Sequence, residues 1–162
     1  MATRTSSRTA VVTLPTDTQI KIVREFHAPR PLVYKAWTTP ELIKRWWHAN
    51  RGKATLAEVD LRVGGKWRWV MVTPDGLEVA FHGEYRELIP NEWIVYTEVF
   101  EGAPDGEALN TLTLTESGGL TTAIMLMQLK SREDRDAILA TGMEDGMQDA
   151  LDLLEQVAAA LA

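Results

Sequence analysis

The fold of this chain is decided by its last residues, 131–162, which read SREDRDAILATGMEDGMQDALDLLEQVAAALA. Apolar residues recur there at three- and four-residue intervals, the period of one face of an α-helix. Ser131 and Asp134 have the spacing of a capping box. We therefore predict one long C-terminal helix that begins at Ser131. Its acidic side chains fill the opposite side, and we expect them to form a solvated face.

Two glycines interrupt this predicted helix. Gly142 and Gly146 lie four residues apart, beside Met143 and Met147. A glycine inside a helix costs about 1 kcal/mol relative to alanine. We therefore expect the helix backbone to pass close to another part of the protein here, or to leave unfilled space beside it.

The residues before this helix predict a mainly antiparallel sheet. Prolines 31 and 40 open two short helices after a first strand at 18–27. Turn sequences then separate six further strands, near 53–60, 65–73, 78–89, 92–101, 108–116 and 120–130. Short connections imply antiparallel neighbours. The order β-αα-β6-α thus predicts an α+β protein in which a curved, seven-stranded sheet wraps around the C-terminal helix and leaves an internal cavity.

Length and composition limit the classes of function. The 162 residues predict one domain over 18–162, preceded by a flexible tail over 1–17. Cysteine is absent, which excludes disulfides and fits a cytoplasmic location. Residues 131–162 hold eight acidic and two basic residues, and the chain has no basic stripe, so nucleic acid is not an expected partner. No apolar run approaches the roughly 20 residues of a membrane span.

Motifs for metal or nucleotide chemistry are missing from the sequence. The histidines at 27, 48 and 82 lack the spacing of metal ligands. No serine lies in a GxSxG pattern, and no glycine-rich phosphate loop follows a strand. We expect no metal and no cofactor, and the sequence leans away from an enzyme.

The candidate binding residues are aromatic and apolar side chains that the strand period places on one face. Trp67 and Trp69 share a face, and so do Tyr96 and Glu98. Plain core packing is the alternative for the two tryptophans, and an ion pair at an open sheet end is the alternative for Glu98. We prefer the register that turns Phe81 and Tyr85 inward and His82 outward; the opposite register would make His82 a polar contact. The predicted ligand contacts are Trp46, Trp67, Trp69, Phe81, Tyr85, Tyr96, Glu98, Met143 and Met147.

Four segments carry a family resemblance. REFHAPRPLVYKAWTTPELIKRWW, DLRVGGKWRWVM, FHGEYRELIPNEWIVYTEVF and TGMEDGMQDALDLLEQVAA occur in this order from about residue 20 to 160. They resemble the homologues of the activator of the heat-shock protein 90 ATPase, in the START-like, birch-pollen-allergen-like superfamily. The resemblance implies a helix-grip fold, with a sheet gripping the C-terminal helix around an apolar cavity. A fold of this kind does not by itself fix the function.

These observations lead to a primary hypothesis and two alternatives. The primary one is a module that binds a small apolar or aromatic molecule in the cavity. One alternative is a co-chaperone-like protein that acts on heat-shock protein 90. The other is a cofactor-free cyclase or isomerase that uses a buried acid such as Glu98. We also expect a homodimer through an outward face formed by Met125 and Met127, or through an aromatic residue of the short helices such as Trp46 or Trp47.

Overall fold

The computed structural model describes residues 9–162. The strands are β1 (Val11–Thr13), β2 (Gln19–Phe26), β3 (Lys53–Val59), β4 (Lys66–Val72), β5 (Glu78–Ile89), β6 (Trp93–Phe100), β7 (Ala108–Ser117) and β8 (Leu120–Gln128). The helices are α1 (Arg30–Thr38), α2 (Pro40–Trp46), α3 (Arg132–Ala140) and α4 (Met143–Ala160). The strands form one antiparallel sheet in the order β1-β2-β8-β7-β6-β5-β4-β3. An α+β fold of helix-grip type, with the predicted two short helices, is thus confirmed.

The sheet has eight strands over the described residues, so the predicted count of seven is wrong. The additional strand, β1, pairs with β2 inside the stretch that we expected to be a flexible tail. Val12 and Ala10 are fully buried, and the Gln148 amide both donates to and accepts from the backbone of Ala10. Three residues are too few to show a strand period, which is why the sequence did not reveal β1. Residues 1–8 lie outside the described part of the chain.

The C-terminal segment is two helices rather than one. The Ser131 hydroxyl accepts a hydrogen bond from the Asp134 N–H at the start of α3, as predicted. Gly142, however, has a φ of +76°, a left-handed conformation that ends one helix before the next begins. A Cβ at Gly146 would meet the Arg51 guanidinium at an ordinary 3.8 Å. The expected close backbone approach at Gly146 is therefore wrong.

The strand registers define one face of the sheet that looks toward the helices, called the inner face here. Buried Ile20 and Ile22 of β2 lie on it, and they pair with Met127 and Met125 of β8. Both methionines pack against the core. The prediction that they point outward and form a dimer surface is therefore wrong. Ile124 and Leu126 alternate with the two methionines along β8, so they lie on the opposite, outer face of the sheet.

Polar side chains of α4 fasten this helix to the sheet. Arg24 of β2 is only 3% exposed, and its guanidinium contacts Asp152 at 2.9 Å and Glu155 at 3.3 Å. It also lies 4.8 Å from the centroid of the Phe26 ring. Gln148, Asp152 and Glu155 are three or four residues apart, so they form one stripe along α4. The acidic side of the helix is therefore partly engaged with the sheet, and the expectation of a wholly solvated face is wrong.

We predict that neutralising Asp152 and Glu155 lowers the free energy of unfolding more than replacing Arg24 does. The double change Asp152→Asn and Glu155→Gln leaves the Arg24 charge buried without a counter-ion, which typically costs about 3–5 kcal/mol. Arg24→Met removes the buried charge itself and leaves two partly exposed acids, so it should cost less. Urea unfolding at neutral pH measures both values. Equal losses, or a larger loss for Arg24→Met, would contradict this explanation of how α4 is held.

The two glycines of the C-terminal segment should respond to alanine in opposite directions. Gly142→Ala places a Cβ in a left-handed conformation, with an expected loss of about 1–2 kcal/mol. Gly146→Ala gains helix propensity and places its Cβ in ordinary contact with Arg51, so it should stabilise by about 1 kcal/mol. Thermal unfolding of the pair checks this, and stabilisation by both changes would show that α3 and α4 join as one helix.

Candidate functional site

Aromatic rings form a continuous cluster between the inner face and the short helices. The Trp46 and Trp69 ring centroids are 5.9 Å apart, and those of Trp67 and Trp69 are 5.0 Å apart. Trp67 also meets Tyr96 at 5.9 Å. Most of these contacts are edge-to-face, a geometry that adds to the energy of apolar burial. The other ring pairs are Phe26–Trp37, Trp37–Trp46, Trp47–Trp69, Trp47–Phe81, Phe81–Phe100 and Tyr85–Tyr96.

A small cavity lies inside this cluster. Its volume is about 20 Å³, which is room for about one water molecule. Four predicted site residues line it, namely Trp67, Trp69, Tyr85 and Tyr96. The sequence analysis missed Trp37, Thr38 and Ile94, which complete the lining. Ile94 was recognisable from the strand period that selected Tyr96, whereas the positions of Trp37 and Thr38 depend on how α1 docks.

Trp67 owes its position to a glycine on the neighbouring strand. Its indole Nε1 donates to the Thr97 carbonyl oxygen at 3.2 Å, reaching from β4 across β5 to β6. A Cβ at Gly83 would lie 1.8 Å from that oxygen and 2.6 Å from the indole nitrogen. Only glycine therefore lets β5 pass beneath the Trp67 ring. A glycine within a strand pattern is the signal for such a close approach.

The remaining predicted contacts take different positions. Trp46 is buried, and its Nε1 donates to the Ala36 carbonyl oxygen at 2.9 Å, so it belongs to the core between α1 and α2. Phe81 faces inward beside Trp47. Met143 and Met147 are partly buried on α4 and pack against the core.

His82 lies on the outer face of the sheet, as the preferred register predicts. Its Nδ1 is 2.9 Å from the Glu101 carboxylate, which also makes two hydrogen bonds with the Arg68 guanidinium. The bonds from Arg68 and then from His82 lower the pKa of Glu101 to about 2. His82 is thus part of a surface ion-pair cluster and does not reach the cavity.

A polar group lies on the inner face beside the aromatic cluster. Glu98 accepts a hydrogen bond from the Asn110 amide nitrogen at 2.5 Å, and no lysine or arginine of residues 9–162 pairs with it. Burial raises the pKa of Glu98, and the bond from Asn110 opposes this shift only in part. Burial likewise raises the pKa of the neighbouring Tyr96 phenol. The inner face therefore carries a carboxyl group whose pKa lies above its ordinary value.

A second concave region lies on the outer face of the sheet. It has a volume of about 350 Å³ and is open to solvent. Trp93, Ile124 and Leu126 supply its apolar part, and the other lining residues are Pro15, Gln19, Lys21, Thr111 and Thr113. Ile124 and Leu126 therefore form the outward apolar surface that was expected at the two methionines. The homodimer itself stays a prediction.

Among residues 9–162, no group of three histidine, aspartate or glutamate side chains is placed to hold a metal ion. No helix in this part of the chain is long and apolar enough to cross a membrane.

An antiparallel sheet packed against C-terminal helices, with an aromatic cluster between them, defines a protein of the helix-grip class. The family model for "Activator of Hsp90 ATPase homolog 1-like protein" matches residues 27–159. The chain therefore belongs to that family, as the resemblance implied. A search of curated proteins found no match.

Solved structures share the whole architecture. A Rhodobacter sphaeroides protein is 27% identical, with a TM-score of 0.86, and the match covers 92% of this chain and 97% of that one. A Chromobacterium violaceum protein is 28% identical, with a TM-score of 0.78 and coverage of 88% and 98%. A Mycobacterium smegmatis protein is 24% identical and shares the fold, with a TM-score of 0.82 and coverage of 99% and 100%.

Glu98→Gln should change how stability depends on pH. Because the pKa of Glu98 is raised in the folded protein, its protonated form stabilises the fold below the unfolded value of about 4.3. That contribution is lost as the pH rises through the folded pKa. Glutamine stays neutral, so the variant should gain stability relative to the wild type between pH 4 and 8.

Urea unfolding across this range provides the measurement, with Glu25→Gln on an exposed β2 position as the matched control. The control should follow the wild type. A Glu98→Gln curve parallel to the wild type would show that Glu98 titrates as an ordinary surface carboxyl.

Proposed function

We propose that this protein binds a small, mainly apolar molecule between the inner face of the sheet and α4. The observation that carries the proposal is the incomplete burial of inward-facing side chains. Trp69, Phe81 and Tyr96 face the helices, yet each keeps part of its surface accessible, and so do Met125 and Met127. Since these residues face inward, we infer that a ligand would reach them through a cleft between the sheet and the helices.

The composition of the cleft favours an aromatic or flat apolar ligand. Its sheet side presents indole, phenol and phenyl rings, on which such a molecule can stack or pack edge-to-face. A binding pocket usually combines such an apolar lining with a few polar groups, and Glu98 with Asn110 supplies them here.

Binding requires the cleft to widen. The inner cavity of about 20 Å³ is far below the roughly 300–1,000 Å³ of ordinary ligand sites. Four methionines pack against the core at this layer, Met125, Met127, Met143 and Met147. Methionine is unbranched and rotates easily, so these side chains can yield to a ligand at modest cost.

The test compares the same substitution on the two faces of the sheet. Ile94→Phe adds a ring to a residue that lines the inner cavity, and Ile124→Phe does so in the outer groove. With naphthalene as the probe and tryptophan fluorescence as the readout, Ile94→Phe should weaken binding at least tenfold. Overpacking should cost it about 1–3 kcal/mol of stability. Ile124→Phe should leave the affinity unchanged.

Two results would overturn the proposal. The proposal would be contradicted if naphthalene and related aromatic compounds showed no saturable binding to the wild type. Loss of binding in Ile124→Phe alone would move the site to the outer groove. Circular dichroism confirms that both variants are folded before binding is compared.

The family's description names activation of the heat-shock protein 90 ATPase, which is the alternative function. The same variants separate the two. An effect of this chain on the ATP turnover of heat-shock protein 90 that persists in Ile94→Phe, together with absent naphthalene binding, would favour the alternative.

A further inference from the structure

One polar atom of the inner face is buried without a partner. Asn110 of β7 is 7% exposed and lies between Tyr96 of β6 and Met127 of β8 in the register. Its amide nitrogen donates to Glu98. Its amide oxygen, Oδ1, has no hydrogen-bond partner among residues 9–162. A buried acceptor left unpaired is costly, and such groups in native proteins call for an explanation.

The neighbours of Asn110 fix which end of its amide remains available. The Glu98 carboxyl oxygen accepts from Nδ2 at 2.5 Å. The opposite neighbour in the register is Met127, whose thioether is at best a weak acceptor and donates nothing. Nδ2 of Asn110 is therefore occupied by Glu98, whereas Oδ1 remains available to accept a hydrogen bond from another molecule.

We infer that the ligand carries a neutral hydroxyl or N–H group that donates a hydrogen bond to Oδ1 of Asn110. This inference rests on the proposed function and narrows its ligand class to apolar molecules with one donor, such as phenols, hydroxylated ring systems or indoles. An ammonium group fits less well, because burying its charge in these apolar surroundings would be costly.

A second unpartnered atom has the opposite polarity. The Nε1 donor of Trp69 is buried without an acceptor in the described part of the chain, and the Trp69 ring lines the cavity. A ligand could satisfy it through an ether or carbonyl oxygen alone. 2-Naphthol offers both a donor and an acceptor, whereas its methyl ether offers an acceptor alone, so this pair of probes tells the two atoms apart.

The experiment measures the affinities of naphthalene, 2-naphthol and 2-methoxynaphthalene by tryptophan fluorescence below the pH at which naphthol ionises. The wild type should bind 2-naphthol about tenfold more tightly than 2-methoxynaphthalene. Asn110→Leu should abolish this preference while it still binds naphthalene. Thr111→Val, the matched change at the next residue on the opposite face, should keep the preference.

The outcomes separate the proposed function from the inference about Asn110. If naphthalene and naphthol both fail to bind, the proposed function and this inference are both overturned. If naphthalene binds and naphthol gains nothing over its methyl ether, the inference alone is overturned. A naphthol preference that survives in Asn110→Leu also overturns it, because the donor then finds another acceptor.

A further measurement covers the case in which Asn110→Leu does not fold. The side-chain amide resonances of Asn110 in the wild type should shift on addition of 2-naphthol and move much less with 2-methoxynaphthalene. Equal shifts with both probes would contradict the inference.

Discussion

The buried charge of Arg24 is the constraint on which the arrangement of sheet and helix depends. A guanidinium inside a protein must be paired, and the counter-ions come from Asp152 and Glu155 of α4. Because these acids lie on one side of the helix with Gln148, pairing them with β2 fixes the rotation of α4 about its axis. That rotation turns Leu151 and Leu154 into the core.

Local signals made most of the fold predictable from the sequence. Proline at the helix starts, alternation in the strands and the Ser131 cap all act over a few residues. Two features were out of reach because they depend on distant partners. β1 is held by an amide on α4, and the inward direction of Met125 follows from its pairing with Ile22. The division of the C-terminal helices at Gly142 is local, but the apolar period continues across this glycine and so predicted one helix.

The candidate site was predictable to the extent that it lies on strands. A period of two residues was enough to group Trp67 with Trp69 and Tyr96 with Glu98. The same rule could not add Asn110, since a polar residue in a strand is ordinarily turned to solvent and its burial depends on the register of β7 with β6. Nor could it show how little space the rings leave, because cavity volume is a property of side-chain packing in three dimensions.

The hydrogen bond that Trp67 makes across Gly83 has a consequence for the ligand of the proposed function. It ties β4, β5 and β6 together under one indole, so this wall of the cleft keeps its shape. The methionine side chains, in contrast to Trp67, rearrange readily. Under the proposed function, a rigid side at Trp67 and an adaptable side at the methionines would make binding selective for the outline of the ligand and tolerant of its bulk. A side chain in place of Gly83 would displace the Trp67 ring, and it would therefore change which outlines fit rather than which sizes.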